Sequence, residues 1–332
     1  MTIKDIAKMA GVSTAAVSRY FNNGYISEEK REAIRLAVEK TGYYPSMQAK
    51  TLRTRKTNLI GVVTPRIDSG SISRVVEGIM EVADENNYQL LLANTKNDPN
   101  KEIEYLSVFH EKQVDGVILL GTFITDEHKR IIANMEVPIV IIGQKLEGYN
   151  SVYHDDYRAQ YEITKHLIEK GCKKLVYIGA NERDKAVGID RYNGYRNAVL
   201  EAGLDDCADR REIGGFDYID GYNGMRSLIQ KYDEIDGVVA ATDTIASGAI
   251  KYLDEIGKKI PEDVMIVGQG DSILAKIVKP ELTTVKYFYE ESGKTATKIL
   301  LDNILSGDRN IPVRIIQLGY EMLERGSTNS FS

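Results

Sequence analysis

The sequence is poor in the residues on which disulfide-stabilised and metal-binding proteins depend. Its 332 residues include only two cysteines, Cys172 and Cys207, and their spacing matches no metal or redox motif. The four histidines form no cluster along the chain. We therefore expect reduced cysteines, as in a cytoplasmic protein, and neither a structural metal nor a cofactor.

Long apolar runs are lacking as well. No segment approaches the roughly 18 uninterrupted apolar residues that a transmembrane helix needs. The N-terminus has the pattern of a charged helix rather than that of a signal peptide. We expect no membrane span and a cytoplasmic location.

Recognisable catalytic and nucleotide-binding motifs are also missing. The nearest candidate for a phosphate-binding loop is Gly268–Ile273, which follows a predicted strand. Ile273 occupies the position of the third glycine of the dinucleotide-binding motif, so the helix cannot approach as that motif requires. No Gly-Lys-Ser/Thr loop follows a strand, and no serine lies in a nucleophile elbow. The sequence therefore predicts a protein that is not an enzyme.

Charge is abundant but unevenly distributed. The whole chain carries a formal net charge of -6 at pH 7. Residues 1–56 hold 11 Lys and Arg against 5 Asp and Glu, a net of +6, so residues 57–332 hold 32 against 44, a net of -12. A basic segment joined to an acidic body directs polyanion binding to one end of the chain.

The basic end has the pattern of a helix-turn-helix. A capping box opens the first helix, Gly11 ends it, and Ser13 caps a second helix predicted over Thr14–Phe21. A third helix is predicted over 27–42. The alternative is a helical hairpin in an all-helical domain. Against it, the second helix exposes small, polar and basic side chains where a base-reading helix needs them, namely Thr14, Ala15, Ser18 and Arg19.

A short basic segment, residues 46–57, connects this end to the body. It is poor in core-forming residues, and an isolated helix of this length is marginal in water. We predict a hinge helix that forms only when DNA or a partner orders it, with a flexible linker as the alternative. The predicted organisation is a helix-turn-helix domain over 1–45, the hinge over 46–57, and a larger body over 58–332.

Strand-like and helix-like segments alternate through the body. Buried-strand runs such as Ile60–Val63 and Gly116–Leu120 are each followed by an amphipathic stretch, and a second set begins at Lys174. This alternation predicts parallel sheets covered by helices on both faces, and two sets predict two doubly wound lobes. The fold class is therefore a small all-α head-piece plus a bilobed α/β core. Ligands bind such folds at the carboxyl ends of strands, here in the cleft between the lobes.

These motifs resemble the lactose-repressor (LacI/GalR) family over essentially the whole chain. The matching head-piece runs are residues 3–13, 16–19 and 42–45. The resemblance implies that the second helix lies in the major groove. It assigns base reading to Thr14, Ala15 and Arg19, and contacts with phosphates or a base edge to Ser13, Ser18 and Asn22.

Arg19 also has a mechanism that does not depend on the resemblance. A guanidinium fits guanine O6 and N7 with two hydrogen bonds, so we expect Arg19 to read guanine. The alternative role is a phosphate clamp.

The resemblance gives the hinge a role too. In this family, paired hinge helices enter the minor groove at the operator centre and a leucine wedges a base step, which costs unstacking energy and yields a bend. Ala49 and Leu52 occupy those positions, with Lys50 and Arg53 on their flanks. Ser46 stands where the family usually has asparagine.

The body is similar to a periplasmic sugar-binding protein. The resemblance implies two lobes joined by three crossings of the chain, near residues 148–155, 282–287 and 309–315 of this sequence. The resemblance implies a small-molecule effector site between the lobes. Arg191 matches the family's hydroxyl-binding arginine, and Phe216 its stacking aromatic. The other positions carried over are Ser71, Arg74, Gln144, Lys145, Thr242, Asp243, Asp271 and Tyr287. Structural alternatives are a core role for Phe216, a solvated helix position for Arg74 and a helix cap for Asp243.

The sequence departs from the family within this site. Thr242 stands where asparagine is usual, Gly270 where an aspartate holds a ligand hydroxyl, and Tyr287 where a glutamine reaches the ligand. Asp271 or Gln269 could substitute for the lost aspartate. The pocket keeps a polar, sugar-sized character, but its pattern of hydroxyl partners differs.

The sequence therefore predicts a ligand-responsive transcriptional regulator, a repressor of carbohydrate-utilisation genes with a sugar or sugar-phosphate effector. The alternatives are control by a docked phosphocarrier-type protein and a purine effector. One recognition helix reads too few base pairs for genomic specificity, so we expect a homodimer on a palindromic DNA site. No apolar heptads follow Arg325, which favours a dimer over a tail-assembled tetramer.

Overall fold

A computed structural model describes residues 1–22, 24–44, 56–111, 114–307 and 311–329. Within it the chain separates into two compact units, Met1–Asn58 and Leu59–Ser332. Most of the predicted hinge, including Ala49, Lys50, Leu52 and Arg53, lies outside the described residues. The helical form of the hinge therefore stays a prediction.

The described residues of the smaller unit form three helices, which are α1 (Ile3–Met9), α2 (Thr14–Phe21) and α3 (Glu28–Thr41). The predicted capping box is present: the backbone N–H and the hydroxyl of Thr2 donate to the Asp5 carboxylate over 2.7 and 3.0 Å. Gly11 adopts a φ of +63° in the turn, a conformation that costs glycine little. The helices bury a common core of Ile6, Ala7, Ala16, Val17, Ile26, Ile34 and Ala37.

The larger unit consists of two lobes, each built on a six-stranded sheet. The first sheet is wholly parallel, with the strand order β11-β5-β4-β3-β1-β2. Its strands are β1 (Leu59–Thr64), β2 (Gln89–Asn94), β3 (Gly116–Leu120), β4 (Ile139–Ile142), β5 (Asn150–His154) and β11 (Ile315–Leu318). Its helices are α4 (Gly70–Glu85), α5 (Pro99–His110), α6 (Asp126–Asn134) and α12 (Tyr289–Ser306).

The second sheet has the order β12-β10-β9-β8-β6-β7, and β12 alone runs antiparallel to its neighbour. Its strands are β6 (Leu175–Gly179), β7 (Arg211–Ile213), β8 (Gly237–Ala240), β9 (Met265–Gln269), β10 (Thr283–Tyr287) and β12 (Tyr320–Leu323). Its helices are α7 (Asp156–Glu169), α8 (Arg191–Glu201), α9 (Tyr218–Lys231), α10 (Asp243–Glu255) and α11 (Ile273–Ile277), with a π-helical turn at Lys185–Asp190 before α8. The predicted fold class is confirmed.

The central strands agree with their predicted positions because they are apolar and buried on both faces. β3, β4 and β8 are fully buried along their length. No comparable signal marks β7, β11 and β12, which lie at sheet edges and consist of exposed and half-buried residues. Edge strands lack the continuous apolar run that identifies a central strand.

The chain crosses between the lobes three times. The crossings follow β5, β10 and β11, at residues 155, 288 and 319. The first falls within the predicted 148–155. The prediction of the third crossing at 309–315 was wrong, because residues 315–318 pair with β5 and extend the first sheet before the chain crosses. The second crossing was also predicted too early in the chain, because residues 283–287 form β10 of the second sheet and the chain crosses after it.

Glycines allow three helix pairs to pack with their backbones in contact. A Cβ on Gly78 of α4 would lie 2.0 Å from the carbonyl oxygen of Glu290, at the start of α12. A Cβ on Gly293 would lie 2.1 Å from the carbonyl oxygen of Val75. Similar close approaches join α9 to α10 and α7 to α8. The helix packing that fixes the lobes therefore depends on these small residues.

Gly78→Ala should destabilise the larger unit, because the added methyl group cannot be accommodated between two backbones. Overpacking of this kind costs about 1–3 kcal/mol. Gly70→Ala on the same helix is the matched control, since a Cβ there has nothing within 4 Å. We expect it to leave stability unchanged or to raise it slightly. Chemical denaturation of both variants measures the difference, and equal unfolding free energies would contradict this account of the packing.

Candidate functional site

The second helix of the smaller unit presents the predicted DNA-contacting residues on one side. Thr14, Ala15 and Arg19 are exposed, whereas Ala16 and Val17 are buried against the other two helices. This division follows the helical period, which places residues three and four apart on one face. The geometry presents a polar and basic helix face to solvent.

Two flanking residues are held by local hydrogen bonds. The Ser13 hydroxyl accepts from the backbone N–H of Ala16 over 3.2 Å and so caps the helix. The Asn22 amide donates to the carbonyl oxygen of Ser18 over 2.7 Å, at the end of the same helix. Ser13 and Asn22 therefore cap the two ends of α2, and Ser18 lies within the helix.

The larger unit contains a cavity of about 290 Å³ between its lobes. It is lined by the segments that follow β1, β3, β4, β5, β7, β8 and β9, and by the π-helical turn. All of these segments lie at the carboxyl ends of parallel strands, where doubly wound folds bind their ligands. We call this cavity the inner chamber.

A buried ion pair forms one wall of the inner chamber. The Arg191 guanidinium, at the start of α8, contacts the Asp156 carboxylate at 2.8 and 2.6 Å and donates to the carbonyl oxygen of Ala241 over 2.5 Å. Arg191 is 4% and Asp156 7% exposed, so the pair lies in a low-dielectric environment. The segments that follow β5 and β8 therefore fix the orientation of the guanidinium plane.

Aromatic rings surround this pair. The Arg191 guanidinium lies 5.1 Å from the centroid of the Tyr287 ring, and Arg74 lies 4.8 Å from that of Tyr289. His154 contacts both tyrosines, with ring centroids 5.0 and 5.4 Å away. Burial lowers the pKa of His154 below its usual 6.5, so its ring is neutral at pH 7. Tyr289 and His154 face the chamber.

Phe216 lies between β7 and α9 and lines the inner chamber. It is half-buried and also packs against the core of the second lobe. The Phe216 ring therefore combines the two alternatives: one part of it borders the cavity, where a stacking residue would lie, and another part packs against the core.

Asp243 holds the loop after β9 in place rather than capping its own helix. The cap of α10 is Thr242, whose hydroxyl accepts from the N–H of Ile245 over 3.2 Å. Asp243 accepts from the Thr284 hydroxyl over 2.5 Å and from the Ser272 N–H over 2.7 Å. Burial raises the pKa of the Asp243 carboxyl. Thr242 and Asp243, which are both predicted effector residues, line the inner chamber.

The predicted effector residues divide into two groups. Ser71, Arg74, Arg191, Phe216, Thr242 and Asp243 all line the inner chamber. Gln144, Lys145, Asp271 and Tyr287 do not. The predicted convergence of Arg191 and Phe216 with the 144–145 pair is therefore not found.

Local and long-range contacts explain the four residues placed elsewhere. The Gln144 amide donates to the carbonyl oxygen of Gly121 over 2.9 Å, and Lys145 is exposed. Asp271 pairs with Arg325 at 2.6 Å. The Tyr287 hydroxyl donates to the Gln269 side chain behind the chamber wall, where Tyr287 is only 2% exposed.

Sequence reasoning missed several lining residues. They are Arg66, Asp68, Asn97, Thr122, His154, Asp156, Asp184, Asp217 and Tyr289. Asp156 was not among the predicted effector residues, although a carboxylate directly after a crossing between lobes is a signal that could have identified it. Asp184 caps the π-helical turn at Lys185–Asp190, for which the sequence shows no signal.

Direct contacts bridge the two lobes around the chamber. Arg74 of the first lobe donates to the carbonyl oxygen of Gly270 in the second over 2.7 Å. Arg66 pairs with Asp217 at 2.9 Å. These bridges connect Arg66 and Arg74, which follow β1, to the segments after β7 and β9.

The part of the chain that the structure describes supports neither a metal site nor a membrane-spanning helix. Across the described residues, no group of three or more His, Cys, Asp or Glu side chains is arranged to hold a metal ion. Among the same residues, no helix combines the length and apolarity needed to cross a membrane. Burial raises the pKa of the Cys172 thiol to about 12, so this cysteine remains protonated.

Comparisons with known proteins agree with this two-part architecture. The model of the bacterial regulatory proteins of the lacI family matches residues 2–46, and that of the periplasmic binding protein-like domain matches residues 164–328. The sucrose operon repressor of Staphylococcus xylosus is 36% identical over 296 residues, which cover 89% of this chain and 91% of that protein.

Solved structures of related proteins match the chain over almost its whole length, among them those of CelR and the lac repressor. The transcriptional regulator CelR in complex with cellobiose is 27% identical, covers 98% of this chain and 99% of its own, and superposes with a TM-score of 0.75. The lac repressor dimer bound to operator and the anti-inducer ONPF is 20% identical, covers 99% of both chains and has a TM-score of 0.88. The second likeness establishes the shared fold.

Proposed function

Because this chain belongs to the LacI family of bacterial regulatory proteins, we propose that it represses carbohydrate-utilisation genes and that a sugar bound between its lobes controls its binding to DNA. As a member of this family it is a ligand-responsive transcriptional regulator and not an enzyme. Its partners are operator DNA, a small-molecule effector and a second copy of itself.

The observation that carries the sugar proposal is the Arg191–Asp156 pair in the inner chamber, next to the rings of Tyr289 and Phe216. A guanidinium held in one plane donates in a fixed fork, and a carboxylate accepts from hydroxyl groups. Aromatic faces pack against the apolar face of a pyranose ring. Together these groups match the alternating polar edges and apolar faces of a sugar.

The named relatives support the same class of ligand. One is a sucrose operon repressor, and one structural neighbour was solved with cellobiose bound. Because the sequence departs from the family at Thr242 and Gly270, we do not assign to this chain the particular sugar of any relative.

We assign operator reading to the exposed face of α2. Thr14 and Ala15 discriminate bases, Arg19 reads a guanine, and Leu52 of the hinge wedges the central base step. A homodimer places two such helices on the two halves of a palindrome. The effector acts by favouring one arrangement of the lobes, and hence one arrangement of the paired hinges.

Isothermal titration calorimetry of the full-length chain with monosaccharides, disaccharides, sugar phosphates and purines tests the effector class. The proposal predicts binding of at least one carbohydrate, and binding that also raises the unfolding temperature. Binding of purines alone would refute the sugar assignment while leaving the regulator intact. If none of these compounds binds, control by a partner protein becomes the better account.

The effector affinity should fall on acidification because of Asp184. Burial raises the pKa of this carboxyl to about 6, against hydrogen bonds from the N–H groups of Val187 and Ala186 that lower it. Asp184 faces the charges of Asp156 and Arg191 across the chamber. A ligand hydroxyl that donates to Asp184 favours the ionised form, so protons compete with the ligand below pH 6.

We therefore expect the affinity to drop by about tenfold between pH 7 and pH 5. Calorimetry at several pH values gives the profile, and Asp184→Asn is the control that removes the titrating group. The variant should show a flatter profile. The same slope in Asp184→Asn and the parent would assign the pH dependence to another group, such as His154 or Asp243.

A further inference from the structure

The inner chamber does not end at Phe216. A second cavity, also of about 290 Å³, adjoins it and shares six of its lining residues. We call it the outer chamber. The shared residues are Arg66, Asn97, Thr122, Asp184, Phe216 and Asp217. The cleft is therefore one elongated space with a boundary in the middle, rather than a single compact pocket.

Each chamber by itself lies at the lower end of the volume range of small-molecule sites, which is about 300–1,000 Å³. One sugar ring is suited to one such chamber, and two linked rings require both. Phe216 lines both chambers, so one ring can pack on it from each side of the boundary.

The outer chamber has polar and apolar groups of its own. Phe123, just after β3, is 38% exposed and lines only this chamber. The exposed part of this ring offers a ligand an apolar surface at the edge of the cavity. Asn181 and Arg183 border the same space from the second lobe and offer hydrogen-bonding groups. The combination repeats the pattern of the inner chamber, an aromatic face with polar groups around it.

The charges of the cleft argue against a phosphorylated ligand. Four arginines line the two chambers, and they face six carboxylates, which gives a formal charge of -2. Arg191 is paired with Asp156, and Arg66 with both Asp68 and Asp217. A phosphate monoester brings a further 1.5–2 negative charges or so at pH 7. An uncharged ligand avoids this repulsion.

We propose that the effector is an uncharged disaccharide, with one ring in the inner chamber and the other on Phe123 in the outer chamber. This inference rests on the proposed carbohydrate-sensing function and specifies the number of rings and the charge of its ligand. The inner ring contacts Arg191 and Asp156, and the outer ring lies among Phe123, Asn181 and Arg183.

Calorimetry of the full-length chain with matched sets of ligands tests the proposal. The sets are glucose, fructose and galactose; sucrose, cellobiose, maltose and lactose; and the 6-phosphates of glucose and sucrose. We expect one neutral disaccharide to bind at least about tenfold more tightly than either of its component monosaccharides and than its phosphorylated form.

Phe123→Ala then locates the second ring. It should weaken the binding of that disaccharide by about three- to tenfold, leave the binding of the inner monosaccharide unchanged, and be rescued by Phe123→Tyr. Ile219→Ala is the control, since Ile219 is 54% exposed and lies in neither chamber lining. A circular dichroism spectrum and an unfolding midpoint like those of the parent establish that each variant folds.

The outcomes separate this inference from the function on which it rests. If a monosaccharide binds as tightly as every disaccharide and Phe123→Ala changes nothing, the two-ring proposal is overturned while sugar sensing stands. Tighter binding of a 6-phosphate would overturn the uncharged ligand. Failure of every carbohydrate to bind would refute the proposed function itself, and this inference with it.

Discussion

Arg191→Ala should abolish the response to the effector while leaving basal binding to operator DNA intact. We propose Arg191, which is buried in the wall of the inner chamber, as a charged donor to the ligand. Loss of such a donor costs about 1.5–3 kcal/mol, or more than tenfold in affinity. The DNA-contacting helix belongs to a separate compact unit, Met1–Asn58, so its own folding does not depend on this residue.

The substitution also leaves Asp156 buried without its cation, which is itself destabilising. Arg191→Lys is therefore measured in parallel, because it keeps the positive charge but loses the planar fork. We expect Arg191→Lys to fold and still to bind the effector more than about tenfold more weakly than the parent.

Arg211→Ala is the matched control. Arg211 pairs with Glu182 at 2.6 Å and stacks on Tyr192 at 4.0 Å, but it lies outside the chamber lining. Its loss removes an arginine and an ion pair of the same lobe without touching the ligand. Effector titrations monitored by operator binding compare the three variants. A full response in folded Arg191→Ala would refute the ligand-binding role of Arg191.

The second large effect is expected in the affinity for operator DNA. Arg19→Ala should weaken binding to the best operator by about 1–3 kcal/mol and relax the preference at one base pair in each half-site. Arg19 is exposed on α2, beside the other predicted base readers Thr14 and Ala15. A bidentate contact with guanine disappears with the guanidinium.

Arg35→Ala provides the electrostatic control. Arg35 lies on α3 and is paired with Glu32 and Glu39, so its removal changes the net charge by the same amount without altering α2. Fluorescence anisotropy with a set of single-base operator variants gives the preference at each position. If Arg19→Ala weakens all sequences equally, Arg19 is a phosphate clamp; if it weakens none, it does not contact DNA.

Most of the fold was predictable because its signals are local. The capping box at Thr2, the turn at Gly11 and the cap at Ser13 each act within a few residues, and the structure contains all three. The central strands are continuous apolar runs between turn residues. Such features need no knowledge of distant parts of the chain.

The candidate site was less predictable because long-range contacts decide where its side chains point. Asp271 has a φ of +45° and pairs with Arg325, 54 positions later in the chain. Tyr287 bonds to Gln269 instead of facing the ligand, since Gln269 itself bonds to Gln160. Sequence spacing carries no information about these partners. Arg191 was identified only through the resemblance, which supplied the tertiary context that the residue alone lacks.

One assay on the full-length chain measures DNA binding by the smaller unit and its control by a ligand of the larger unit. Selection from random duplexes by the full-length chain first yields its preferred DNA site, and anisotropy then gives the affinity for that site with and without each sugar. The account predicts a two-fold symmetric site and a change in affinity with a carbohydrate that also binds in calorimetry. A site without symmetry, or an affinity that no carbohydrate changes, would contradict it.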